Sequence, residues 1–108
     1  MHIPEGYLSP QTWGASYAVM LPIWVIASRR LRSTLNTRSV PLLAIGSAFS
    51  FALMMFNIPA LGYTGHVTGA PLIALLLGPW AAVLAMSVVL TVQAFVFGDG
   101  GITAIGAN

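Results

Sequence analysis

The chemistry open to this chain is quickly surveyed, because its 108 residues include two histidines, two carboxylates and no cysteine. His2 stands directly after Met1. That position offers one metal ion three nitrogens: the α-amine of Met1, the main-chain amide of His2 and the imidazole Nδ1 of His2. Amine with amide closes a five-membered chelate ring, amide with Nδ1 closes a six-membered one, and the three donors lie naturally in one plane. A fourth donor completes a square. The only other histidine is His66, in Gly65-His66-Val67-Thr68-Gly69. Square-planar nitrogen coordination points to Ni(II) or Cu(II), whose affinities exceed those of most first-row divalent ions. Zn(II) prefers a tetrahedron and gains little from a deprotonated amide. The competing reading is that a histidine between glycines is an ordinary loop residue.

Other chemistry is poorly supplied. Glu5 and Asp99 are too few and too far apart in sequence to argue an acid/base pair. No G-x-S-x-G nucleophile elbow occurs. Gly98-Asp99-Gly100-Gly101 is glycine-rich but lacks the lysine and spacing of a phosphate loop. Without cysteine there are no disulfides, thiolate metal sites or thiol nucleophiles. Enzyme catalysis is not expected.

The elements that must position these residues do not belong to a water-soluble fold. Hydrophobic residues make up 57% of the chain and charged residues 6%, against about 25% charged in soluble domains. That composition excludes a soluble globular enzyme, a disordered tail and a nucleic-acid binder. All four positive charges are arginines between Arg29 and Arg38, and no Asp, Glu, Lys or Arg then occurs for 60 residues, until Asp99. The expected architecture is all-α: a polytopic helical membrane protein with about three spans and a half-helix, part of a larger helical bundle.

The first span is expected over residues 12–28, about 26 Å as a helix against a hydrocarbon core of ~30 Å. Ser9 is its N-cap and Pro10 its first residue. The arginines follow this apolar run instead of preceding it, so it reads as a retained helix and not a cleaved signal peptide. The second span, residues 40–58, is closed by Pro59. Within it Ala44, Ala48 and Ala52 fall four apart, with Gly46 and Ser50 in a neighbouring row. Small residues so spaced let another helix approach closely, either from the same chain or from a partner subunit. Residues 71–97 would make a helix of about 40 Å, too long for a bilayer unless steeply tilted. Gly78-Pro79 interrupts it, giving a half-helix over 72–77, a turn, and a span over 80–97. Gln93 sits inside that span, where an amide normally faces protein.

The basic Arg29–Arg38 loop is expected in the cytoplasm, which puts the N-terminus outside and makes residues 60–69 external or set into the outer half of the membrane. With a turn at Gly78-Pro79, residues 98–108 lie on the same side as His2 and His66. With one unbroken helix they would be cytoplasmic. The first case gathers the unusual polar residues in one place.

Met1-His2-Ile3-Pro4-Glu5-Gly6-Tyr7-Leu8-Ser9-Pro10 strongly resembles the N-terminus of the NikM/CbiM family, the substrate-capture (S) components of energy-coupling-factor nickel and cobalt transporters. The likeness continues through Gly65-His66-Val67-Thr68-Gly69, Leu77-Gly78-Pro79-Trp80-Ala81-Ala82 and Phe97-Gly98-Asp99-Gly100-Gly101 to Gly106-Ala107-Asn108, in matching order and spacing. It implies Ni(II) or Co(II) as transported substrate, no organic cofactor, and metal ligation by Met1, His2 and His66. The implied partners are a transmembrane coupling protein, two cytoplasmic ATPases that hydrolyse the ATP, and often a small accessory membrane protein, in the cell membrane. The row Ala44, Ala48, Ala52 looks like the face S components present to the coupling protein. Relatives continue with several more helices, so the chain corresponds to roughly their N-terminal half. Many carry histidine where this chain has Asp99, and Asp99, Asn57 and Asn108 are candidates to support the ligands from behind. The preference of Ni(II) for planar, amide-containing sites favours nickel over cobalt. The alternative from another class is a small helical accessory or assembly subunit without a metal of its own; a signal-anchor fragment without function is a third.

Overall fold

The computed structural model describes residues 2–60 and 63–108. Helix α1 spans Pro10–Thr34. Ser9 caps it, its hydroxyl accepting the Thr12 N–H at 3.3 Å, and Pro10 occupies the first turn, where its missing N–H costs no helix bond. The helix does not stop at Ser28 with the apolar run. Arg29, Arg30 and Arg32 are helical, so the expected basic loop shrinks to residues 35–38 before α2 (Ser39–Met55). Arginine is a good helix former and favours a helix C-terminus, where its charge meets the carbonyl end of the dipole. In the short connection the Asn36 side chain accepts the N–H groups of Arg38 and Ser39, both at 3.0 Å, and so starts α2.

Helix α2 ends at Met55, three residues before the expected boundary. The backbone before a proline is pushed out of the helical region. Ile58 is accordingly extended, and Ile58–Ala60 (β1) pairs antiparallel with Tyr63–Gly65 (β2), in the register Ile58 to Gly65 and Ala60 to Tyr63. This small hairpin lies in the connection between the second span and the half-helix, within an architecture that is otherwise helical. His66 follows it directly.

Helix α3 covers Ala70–Leu77, and α4 begins at Pro79 and runs to Val92. Gly78 joins them with φ +92° and ψ 163°, a region open essentially only to glycine. The chain folds back there. A Cβ on Gly69 would collide with Ser50 and one on Gly46 would press on Ile73, so α3 runs antiparallel to α2. The neighbouring row of small residues in α2, Gly46 and Ser50, is what lets α3 approach. Leu31, Ile73, Ala81, Ala82 and Ala85 form the core where α1 and α3 meet α4. Trp24 of α1 donates its indole N–H to Ser87 of α4 at 2.8 Å. After Val92 the helix widens into a π-helical turn, Gln93–Phe97, followed by turns to Asn108.

The two ends of the bundle differ in character. At one, the Arg30 guanidinium lies 5.5 Å from the ring centre of Trp80, beside the Gly78 turn. At the other, residues 2–5 lie on residues 99–108. Among the described residues, Pro79–Phe97 is the one continuous helix both long and apolar enough to cross a membrane. Helix α2 is apolar but shorter at 17 residues, and the Gly, Ser, Tyr, Trp and Arg residues of α1 dilute its apolar content. Much apolar surface stays outward: Leu75 is 86% exposed and Val96 70%.

Candidate metal centre

The site is built on a strand of N-terminal chain held from both sides. Ile3 donates its N–H to Asn108 Oδ1 at 2.7 Å and accepts the Gly101 N–H at 2.9 Å. Two residues on, the Glu5 carboxylate accepts the Thr103 hydroxyl at 2.5 Å and the Thr103 N–H at 3.2 Å. These bonds hold the Glu5 carboxyl below the ordinary value of 4.5; the Thr103 hydroxyl is the largest cause and its amide the next. Tyr17 of α1 donates its hydroxyl to the Ile102 carbonyl and fixes the tail to the bundle.

Two glycines of the glycine-rich motif, Gly100 and Gly101, are explained by this contact. A Cβ on Gly101 would stand 2.7 Å from the Glu5 nitrogen and 2.8 Å from its Cα, and one on Gly100 would stand 2.9 Å from the His2 Cβ. Backbone must meet backbone here, and only residues without side chains allow it. Gly100-Gly101 is thus a seat for the N-terminal strand.

That seat delivers His2 to the interior. His2 is 9% exposed and its ring lies 5.0 Å from the His66 ring, centre to centre, at 57°. Both ring nitrogens of His66 are buried and have no hydrogen-bond partner among the described residues. A neutral imidazole has one donor and one acceptor to satisfy, and leaving both unmet is unfavourable unless something else takes them up. The Nε2 of His2 is 2.6 Å from Oε1 of Gln93, which is fully buried, and 4.0 Å from Oδ2 of Asp99. Below the two rings lies a cavity of about 420 Å³, with His2, His66, Thr68 and Asn108 on its polar side and Met54, Ala82, Met86 and Leu90 among its apolar walls.

Of the residues singled out from sequence, His2 and His66 come together, Asn108 lines the same cavity, and Asp99 stands behind the His2 ring. Met1 lies outside the described residues. Asn57 does not join the site: it is exposed in the step from α2 to β1 and lines no part of the cavity. The row Ala44, Ala48, Ala52 is exposed along α2. Among the described residues no helix covers it, because α3 packs on the Gly46 and Ser50 side instead. Sequence reasoning placed Gln93 against protein but did not see it as a partner of His2. Its only signal was an amide in an apolar span.

Among the described residues no three His, Asp or Glu side chains gather as a metal site.

Fold and site together define a helical membrane protein in which His2 is folded inward beside a second histidine. Residues 2–108 match the CbiM family, the cobalt uptake substrate-specific transmembrane region, and the chain belongs to it. This is a family of transporter components, not of enzymes, in line with the expectation from sequence. The chain is similar to the fused nickel transport protein NikMN of Rhodobacter capsulatus, with 54% identity over 109 residues covering all of this chain and 31% of that protein. It is 52% identical to a putative metal transport protein of Methanocaldococcus jannaschii, covering 49% of that protein. The crystal structure of a truncated transition metal transporter superposes on 99% of this chain with a TM-score of 0.92 at 51% identity, using 50% of that chain. The chain thus spans half or less of the length of these relatives.

Proposed function

We propose that this chain is the N-terminal, metal-recognition part of the transmembrane domain of an energy-coupling-factor S component. It binds Ni(II), with Co(II) as alternative cargo, from outside the cell for ATP-driven uptake by partner subunits. The observation that carries the reading is the buried ring pair: two imidazoles 5.0 Å apart, one with both nitrogens unpartnered among the described residues. A square of four nitrogens fits it. The Met1 amine, the His2 amide and His2 Nδ1 chelate from one strand, and His66 supplies the fourth corner. The match to relatives named for nickel transport and to a family described by cobalt uptake supports this choice of cargo.

The chain's own residues then do three things. Asn108 and Gly101 hold the Ile3 main chain and set where the chelating strand ends. The apolar walls from Met54, Met86 and Leu90 limit water, so the charge of a bound ion would be little screened and would favour loss of the His2 amide proton to solvent as the nitrogen becomes a ligand. His66 connects the captured ion to the hairpin and α3, so that occupancy can be felt beyond the site. Helices α1, α2 and Pro79–Phe97 cross the membrane, with the arginines of α1 inside and the N-terminus, His66 and residues 98–108 outside. The outward row Ala44, Ala48, Ala52 faces the coupling protein, through which two cytoplasmic ATPases, with or without a small accessory membrane protein, drive release.

Equilibrium dialysis of the full-length protein with Ni(II) tests the reading. His2→Ala, His66→Ala and N-terminal acetylation should each abolish high-affinity binding, His2→Ala most severely because it removes a chelate arm. Equal affinity and stoichiometry in all four proteins would refute it and favour an accessory subunit that holds no metal.

A further inference from the structure

We propose that Gln93 is the positioning residue of the site: it selects the tautomer and ring orientation of His2 that leave Nδ1 free to chelate. The proposal rests on the functional reading above, but its structural half is testable without metal. Nδ1 is the imidazole nitrogen that can close a six-membered ring with the amide of its own residue; Nε2 points away from that amide. In a neutral ring only one nitrogen carries hydrogen, and which one is set by the hydrogen bond the other side of the ring makes. Here two oxygens face Nε2: the Gln93 carbonyl at 2.6 Å and the Asp99 carboxylate at 4.0 Å. Both favour a hydrogen there. The reverse orientation of the Gln93 amide would aim its NH₂ at Nε2, turn the ring's lone pair toward Asp99 and put the hydrogen on Nδ1, where it blocks the chelate.

The two oxygens come from the start of one π-helical turn and from the residue just past its Gly98 cap. Gln93 opens the π-helical turn, and its main-chain carbonyl accepts the Asp99 N–H at 2.9 Å. This wide turn returns the chain early enough for residue 99 to stand beside residue 93. Such turns inside α-helices recur at functional sites. The amide is also kept against a cost. Gln93 is fully buried and its NH₂ has no partner among the described residues, a condition that methionine at the same position would relieve. Packing alone therefore does not account for glutamine. Outer partners of metal-binding histidines commonly fix tautomer and orientation in this way.

The direct test is ¹⁵N NMR of histidine-labelled, metal-free full-length protein in nanodiscs, with His2 assigned by difference against His2→Ala. The expected result is hydrogen on Nε2 and an unprotonated Nδ1; hydrogen on Nδ1 overturns the proposal. Dialysis supplies the second arm. Gln93→Met, which keeps size but offers no acceptor, should weaken Ni(II) binding about 10- to 100-fold, and Gln93→Glu, which keeps the acceptor, should restore it close to wild type. Unchanged affinity in Gln93→Met, or equal loss in both variants, overturns the positioning role. If Gln93→Met does not fold, hydrogen on Nδ1 in the wild type still overturns the proposal, and Gln93→Leu, which also lacks an acceptor, takes its place in the dialysis. If wild type binds no Ni(II) while the hydrogen sits on Nε2, the functional reading fails and the tautomer assignment stands.

Discussion

Glu5 shows how much of the site depends on residues that touch no metal. Its carboxylate holds the strand carrying His2 through Thr103, and the same bonds lower its pKa below the ordinary 4.5. The sign follows from linkage. A depressed carboxyl pKa contributes stability that is complete above 4.5 and is lost as pH falls through the lower, folded value. The Thr103 amide resonance should therefore report release of the strand in that acidic window, and Glu5→Gln should flatten the profile. Asn108 acts the same way on Ile3, at 2.7 Å. Asn108→Ala removes a single net hydrogen bond of about 1 kcal/mol, so Ni(II) affinity should fall about fivefold by dialysis. That His2 and His66 come together was legible from residue type alone, because they are the two histidines of the chain. Gln93 and Thr103 were not, since their partners lie more than 90 residues away in sequence and nothing local marks such a contact.

The elements divide along a similar line. Gly78-Pro79 announced the break between α3 and α4, and the structure has a Gly-only conformation there. Gly78→Ala should cost about 1–3 kcal/mol as strain, read as a lower thermal midpoint. Gly101→Ala should act elsewhere. Its Cβ would press on the Glu5 backbone, which cannot swing aside as a side chain would, so overpacking of about 1–3 kcal/mol falls on the strand's seat. Nickel binding should weaken while the melting of the helical bundle changes little. Two features follow from forces that hydrophobic patterning does not register. The apolar run through Ile58 reads as helix until the backbone restriction before Pro59 is given its due, and the extension of α1 through Arg29, Arg30 and Arg32 is invisible to hydrophobicity because it is held by helix propensity, not apolar burial. The π-helical turn leaves no signature in residue types at all.

Across the whole molecule, the fold-back at Gly78 brings residues 98–108 to the end that holds His2 and His66, and the arginines of α1 stand at the other. If the bundle crosses the membrane as proposed, single cysteines at Val67 and Ile102, both exposed, should react with an impermeant reagent from outside, and one at Thr34 should not. A second test separates capture from transport. Inserting glycine before Met1 moves the histidine to third place, so amine, two amides and imidazole can fill the square without His66. Nickel should still bind, uptake by the assembled transporter should be lost, and His66→Ala should no longer matter to affinity. The central claim, four nitrogens in a plane, is tested most directly by nickel K-edge absorption of the loaded full-length protein together with its magnetic susceptibility. The expected result is a diamagnetic, four-coordinate planar ion with imidazole scattering from two histidines. A paramagnetic, six-coordinate ion would contradict it, because it would show that the His2 amide is not a ligand.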